Sequence, residues 1–340
     1  MRITYVLASA ELNGGHRVAF QHAELLLRAG VEVTVAAPAP RPAWARWRGG
    51  YRDLCAGPPR LPSQDLVVGT FWTTLSLARE LAAGPVAHFC QGYEGDLEHL
   101  AGQLPQIEEA YRRPLPALVV SPHLGELLRD RFARESAWAP PPLDPRFRPS
   151  RLPRRGPRSR PWVAVPGIFE AEVKGVRLAL AAARRLREEG VEARVLRSSF
   201  RPLVAEERAL LAPQRYLCAV PPSRVARELR RCDLLLFGSG PAEGFGLPLL
   251  EAMASGVPAV AFAVPSVSGF ASGAVSLAPF GEVERLAAAA LDLLRDAGSW
   301  RRARATGLEA ARRFRPEEVA PRLLEAVRWA ASWTPAAAPA

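Results

Sequence analysis

The chain has almost no lysine: of its 45 basic side chains, Lys174 is the single one that is not arginine. It also lacks any apolar run of about 20 residues, the length a helix needs to cross a bilayer. Its start, Met1 to Ala10, has neither the basic opening nor the long apolar core of a secretory leader, so the expected location is cytoplasmic. Cysteine is scarce and scattered. Cys55, Cys90, Cys218 and Cys232 form no Cys-x-x-Cys pair and have no histidine at metal-ligand spacing, which leaves them as ordinary reduced thiols. No Asp-x-Asp pair occurs anywhere.

What is present fits a folded, water-soluble chain. Hydrophobic residues make up 49% and charged residues 23%, which excludes disordered and fibrous classes. The net charge of +11 favours polyanionic partners such as nucleotides, anionic lipid surfaces or nucleic acid, without choosing among them. A length of 340 residues suits two domains of roughly 150 residues each.

Arg2 to Ala8 reads as an apolar strand, Asn13-Gly14-Gly15 as a glycine loop, Val18 to Arg28 as a helix, and Val31 to Ala36 as the next strand, together one βαβ unit. Strands recur at Leu66 to Gly69, Pro85 to Phe89, Ala117 to Val120 and Ser136 to Ala139, with helical stretches between most of them. This alternation predicts a doubly wound parallel sheet. The pattern lapses between Pro140 and Pro161 into prolines and arginines that are not expected to pack or pair as a sheet. It then resumes with strands at Trp162 to Val165, Glu192 to Leu196, Tyr216 to Val220 and Asp233 to Phe237, and helices at Val176 to Glu188 and Ser223 to Arg230. Helices near Gly281 to Leu294, Trp300 to Arg312 and Pro316 to Ala331 follow. The expected organisation is a first domain over 1–145, a linker over 146–161, a second domain over 162–315, a helix over 316–333 that can pack back on the first domain, and a tail over 334–340.

The most informative stretch is Asp233-Leu-Leu-Leu-Phe-Gly-Ser-Gly-Pro-Ala-Glu243-Gly244-Phe245-Gly246-Leu247-Pro248-Leu-Leu-Glu251-Ala-Met-Ala-Ser-Gly256-Val-Pro258, a strand, a glycine loop, a helix and the start of another strand. Pro248 suits a first helical turn and Gly256 a helix stop. The backbone NH groups of Gly246 and Leu247 would point out of the helix start, where the dipole favours a phosphate by about 0.3 to 1 kcal/mol. Glu243 in the loop and Glu251 one turn into the helix can both reach a ligand whose diphosphate rests there. Carboxylates accept from vicinal hydroxyls, so Glu251 is the candidate for a ribose and Glu243 for sugar hydroxyls. The plainer alternative is a solvated loop acid and a helix acid favoured by the dipole.

This stretch resembles the Glu-x7-Glu signature of glycosyltransferase family 4, whose members are retaining enzymes. The likeness runs along Glu-Gly-Phe-Gly-Leu-Pro-Leu-Leu-Glu-Ala-Met-Ala-Ser-Gly-Val-Pro and extends more loosely over most of the chain. It implies an α/β fold of GT-B type, two Rossmann-like parallel-sheet domains facing a central cleft, with the nucleotide-sugar donor on the second domain and the acceptor on the first. Asn13-Gly14-Gly15 is similar to the family's loop on the diphosphate side, where Gly14 and Gly15 let backbone approach the donor; by itself the pair equally suits a tight turn. The family's Gly-Arg…Lys-Gly pattern is matched at Lys174-Gly175, which implies a diphosphate contact for Lys174. Its first half departs, since Gly167 is followed by Ile168 and one extra residue precedes the lysine. Either another arginine, such as Arg197 or Arg201, supplies that charge, or donor binding is weaker or different.

Two further segments stand out. His88-Phe-Cys-Gln91-Gly92-Tyr93-Glu94 closes a strand at the sheet end that faces a ligand crevice in open α/β folds. The resemblance implies a sugar or acceptor contact for His88, while a lone histidine is otherwise a structural residue. Arg41 to Arg52 interleaves Trp44, Trp47 and Tyr51 with arginines, a composition suited to an anionic membrane surface, to nucleic acid, or to a solvated loop with the tryptophans turned inward. The resemblance to enzymes with lipid-linked acceptors favours peripheral membrane contact through 41–52 over nucleic acid.

The expected activity is metal-independent transfer of a sugar from a nucleotide diphosphate donor to a glycan, lipid-linked or small-molecule acceptor, with retention and without a cofactor. Glu243, Lys174 and His88 are the catalytic candidates; Gly14, Gly15, Lys174, Glu243, Gly244, Phe245, Gly246, Leu247 and Glu251 are the donor-binding ones. Without an Asp-x-Asp pair to hold a cation, Lys174 and the helix start must offset the leaving diphosphate. The alternatives are a nucleotide-sugar epimerase of the same architecture and a glycosyltransferase-like binding protein without turnover.

Overall fold

The computed structural model describes residues 1–55, 61–152 and 154–335. They form two compact units, the first made of residues up to Pro142 together with those from Pro316 onward, the second running from Leu143 to Arg315. Pro153 in the expected linker and residues 336–340 of the expected tail lie outside the described residues.

The first unit contains β1 Arg2–Val6, α1 Gly14–Arg28, β2 Glu32–Ala37, β3 Gly50–Asp53, β4 Leu66–Gly69, α2 Trp72–Leu81, β5 Val86–Cys90, α3 Leu104–Tyr111, β6 Ala117–Val119, α4 Pro122–Phe132 and β7 Ser136–Trp138. The strands lie in the order β3-β2-β1-β4-β5-β6-β7, and every described ladder is parallel. Leu66, Val67 and Val68 are fully buried because helices cover both faces of a central strand. The last helix of the chain, α12 Pro316–Ser332, completes this unit by packing on α1 and on β4 to β7.

The second unit contains β8 Trp162–Pro166, α5 Val176–Glu188, β9 Arg194–Ser199, α6 Ala205–Leu210, β10 Arg215–Cys218, α7 Pro222–Leu229, β11 Leu234–Phe237, α8 Leu247–Ala254, β12 Ala259–Phe262, α9 Pro265–Ala271, β13 Ser276–Ala278, α10 Val283–Arg295 and α11 Ala297–Arg312. Its parallel sheet has the order β10-β9-β8-β11-β12-β13. The α5 helix shows how these elements arise. Val176, Ala179, Leu180, Ala183 and Leu186 recur at helical spacing and are buried, and the left-handed Gly190 (φ 82°) ends the run.

Several local readings change. The helix read from Val18 begins at Gly14, because Asn13 caps it by accepting from the His16 NH at 2.8 Å. Gly14 and Gly15 are therefore the first helical turn and not a loop. The strand read at Glu192 to Leu196 lies two to three residues later. β3, which overlaps the end of the Arg41 to Arg52 segment, has no apolar run and pairs with β2 through its backbone. The prolines and arginines before β8 form no helix or strand among their described residues, yet they do pack: Arg154 and Arg158 both pair with the fully buried Asp233, whose carboxylate also accepts the Trp162 NH at 2.8 Å. Trp300 donates its indole NH to the Asp233 carbonyl at 2.7 Å, under the Arg154 guanidinium.

Candidate active site

In the second unit the strand order reverses between β8 and β11, the place where open α/β sheets gather ligands at the carboxyl ends of their strands. The loop after β8 carries Lys174 and the loop after β11 carries Glu243. Two glycines let these loops touch. Gly175 is left-handed (φ 50°), and a Cβ there would stand 1.8 Å from the Gly238 carbonyl oxygen. Beside them the Gly240 NH donates to the Val173 carbonyl at 2.9 Å. The consequence is a two-pronged ion pair: Lys174 Nζ donates to Glu243 Oε1 at 3.0 Å and Oε2 at 2.9 Å. The Glu243 side chain is 9% exposed and the lysine 37%, so the carboxylate is held in the wall and the ammonium reaches out from it.

The start of α8 lies four residues beyond Glu243. Gly246 precedes it in a left-handed conformation (φ 97°, ψ 49°), proline occupies the first turn, and no side chain caps the helix. Within the first turn the Leu249 NH donates to the Gly246 carbonyl at 2.9 Å and Pro248 has no NH, which leaves the Leu247 amide as the first-turn donor for a ligand. The Phe245 ring is buried; it stacks on Phe270 at 4.5 Å and meets Phe314 edge-on, which anchors the loop. Glu251 is buried within α8, one turn on from Leu247.

Arg197 is not the replacement for the missing basic residue at Ile168. It is fully buried, paired with the equally buried Glu207, and donates Nη2 to the Gly167 carbonyl at 3.0 Å. Its charge is consumed in fixing the loop that leads to Lys174. Arg201 is exposed.

Residues 160–296 match the family described as Glycosyl transferases group 1. The second unit carries a glycosyltransferase domain. Solved structures show that the likeness in fold runs across both units. Sucrose-phosphate synthase from Thermosynechococcus elongatus superposes with a TM-score of 0.78 at 18% identity, covering 96% of this chain and 98% of that one. Anabaena HepE, solved in complex with UDP and glucose, gives 0.76 at 15%, covering 96% and 99%. WaaG, a glycosyltransferase of lipopolysaccharide biosynthesis, gives 0.66 at 16%, covering 94% and 98%. No curated protein matches by sequence. Two parallel-sheet α/β units of this kind constitute the GT-B fold.

The glycosyltransferase domain holds Lys174, Glu243, Gly244, Phe245, Gly246, Leu247 and Glu251, whereas Gly14, Gly15 and His88 belong to the first unit. There Gly15 faces Gln91: a Cβ would stand 3.1 Å from its side-chain nitrogen, so the α1 start and the end of β5 are adjacent. His88 is removed from the surface. It is fully buried, edge-on to Tyr111, and takes a hydrogen bond at Nδ1 from Arg134 at 3.3 Å. Burial, helped by that guanidinium, pushes its pKa well below the usual histidine range, so it stays neutral inside the core. A contact with sugar through this side chain does not fit that placement, because the ring lies mid-strand in β5, fully buried against Tyr111 of α3.

Sequence reasoning gave no role to Glu94, which follows β5. Its carboxyl is buried against the Tyr111 hydroxyl, and burial raises its pKa to about 7. In the Arg41 to Arg52 segment Trp47 is buried, and both Trp44 and Trp47 pack edge-on against Phe20 of α1. Arg46, Arg48 and Arg52 remain exposed. No helix among the described residues is long and apolar enough to cross a membrane.

Proposed function

We propose that the chain transfers a sugar from a nucleotide diphosphate donor to an acceptor, with retention at the anomeric carbon and without a metal ion, as a member of glycosyltransferase family 4. The observation that carries this reading is the Lys174–Glu243 pair beside the uncapped start of α8, within the matched region. The complexes of Anabaena HepE with UDP and glucose, and with UDP-glucose, support a donor of that class.

Negative charge develops on the diphosphate as the sugar departs. The Lys174 ammonium and the α8 amides are fixed positive groups at that point, and such preorganised donors lower the barrier because they need not reorient during the reaction. Glu251 holds the ribose and Glu243 the sugar hydroxyls. The leaving phosphate takes the acceptor proton on the face it vacates, which gives retention. The first unit, with Gly14 and Gly15 at the start of α1, receives the acceptor. The activity is placed in the cytoplasm, and the exposed Arg46, Arg48 and Arg52 support a peripheral contact with an anionic membrane surface.

The test is a thermal-shift panel of nucleotide sugars in EDTA, followed by NMR of the glycoside formed from the best donor with a panel of acceptors. A ligand at about 100 times its dissociation constant adds about 2.7 kcal/mol of stability. The reading predicts a shift that survives EDTA and a glycoside with the donor's own anomeric configuration. A requirement for added metal, or an inverted glycoside, contradicts it, and an epimerised donor formed without acceptor points to the epimerase instead.

A further inference from the structure

Lys174 and Glu243 neutralise each other through two hydrogen bonds of 3.0 and 2.9 Å, and the carboxylate is the more buried partner. A diphosphate arriving at the α8 start competes with Glu243 for the ammonium. What replaces the lost hydrogen bonds to Glu243 depends on the ligand. An intact nucleotide sugar brings hydroxyl donors to the carboxylate. A nucleoside diphosphate brings none; its terminal phosphate, freed of the sugar ester, adds negative charge next to a nearly buried carboxylate.

We infer that Glu243 is the residue that makes this site prefer the intact donor over the nucleoside diphosphate product, so that breaking the sugar-phosphate bond itself weakens the hold on what remains. The inference rests on the donor reading above and adds to it a direction of discrimination. Lys174 supplies attraction to both ligands, and Glu243 sets the difference between them. The arrangement can do this because the Gly175–Gly238 crossing fixes the two loops, so the carboxylate stays beside the diphosphate position when its partner is drawn away.

The experiment is titration calorimetry of UDP, ADP and GDP, each alone and as its glucose conjugate, against the wild type, Glu243→Gln and Glu243→Asp. In the wild type the conjugate of the accepted base should bind at least about tenfold more tightly than the free diphosphate, about 1.4 kcal/mol. In Glu243→Gln, which keeps the shape and removes the charge, the free diphosphate should tighten by about tenfold while the conjugate does not, bringing the ratio to about one. Glu243→Asp keeps the charge and should keep the preference, and it guards against a misfolded glutamine variant. A general loss of packing would weaken both ligands together and leave the ratio alone. An unchanged ratio in Glu243→Gln, with both ligands still binding, overturns the inference and leaves the donor reading standing. Absence of binding by all six ligands to the wild type overturns both.

Discussion

Gly175 and Gly238 pass each other backbone against backbone: a Cβ on the first would stand 1.8 Å from the carbonyl oxygen of the second, and one on the second 2.2 Å from that of the first. This contact couples the loop after β8 to the loop after β11, and hence Lys174 to Glu243. Gly175→Ala adds a clash to a left-handed backbone, which alone costs an L-residue roughly 1–2 kcal/mol. The variant should lose at least about 2 kcal/mol of stability in denaturant melts and lose the thermal shift given by nucleotide sugars. Alanine tolerated with donor binding intact would show that the loops need not touch.

Arg197 and Glu207 are a fully buried pair whose separation leaves a charge in the core. Arg197→Met should cost about 3–5 kcal/mol, whereas Arg197→Met with Glu207→Leu should recover most of it. Urea titrations of the two variants check this. A single variant as stable as the wild type would mean that the pair is not what fixes the Gly167 loop.

Glu94 gives a pH dependence with a definite sign. Its carboxyl has an ordinary value of 4.5 and is raised to about 7 by burial, so between those values the folded chain holds a proton that the unfolded chain has released. The protonated form is favoured by folding, and its contribution is complete below pH 4.5 and lost as pH rises through about 7. Glu94→Gln should remove this loss, flattening the stability profile between pH 5 and 8 by up to about 3 kcal/mol. Parallel slopes for both proteins would place the titration elsewhere.

The alternation of strands and helices was readable because central parallel strands such as Leu66–Gly69 and β11 are apolar throughout, and α5 keeps one buried stripe. β3 escaped because an edge strand pairs through backbone and needs no apolar run. Gly14 and Gly15 read as a loop because glycine disfavours helices, and the Asn13 cap outweighs that preference. The sequence singled out Lys174 and Glu243 separately, but not their hydrogen bonds, which join residues 69 positions apart. Nor did any spacing reveal that Arg197 has Glu207 as its partner or that His88 is buried against Tyr111 of α3. Such facts belong to packing between elements, which sequence periodicity does not encode.

The chain's one lysine bears most of the functional reading. Lys174→Ala should abolish most of the nucleotide-sugar thermal shift, and Lys174→Arg should restore only part of it, since a planar guanidinium does not reproduce a compact ammonium. Equal shifts in all three proteins would show that the charge acts elsewhere.

The most direct measurement is a crystal structure of the chain with the nucleotide sugar that gives the largest shift. The account predicts the diphosphate at the first amides of α8, within hydrogen-bonding distance of Lys174 Nζ, with the sugar hydroxyls on Glu243 and the ribose on Glu251. A donor bound with its diphosphate away from α8, or with Lys174 and Glu243 still joined and untouched by it, would contradict it.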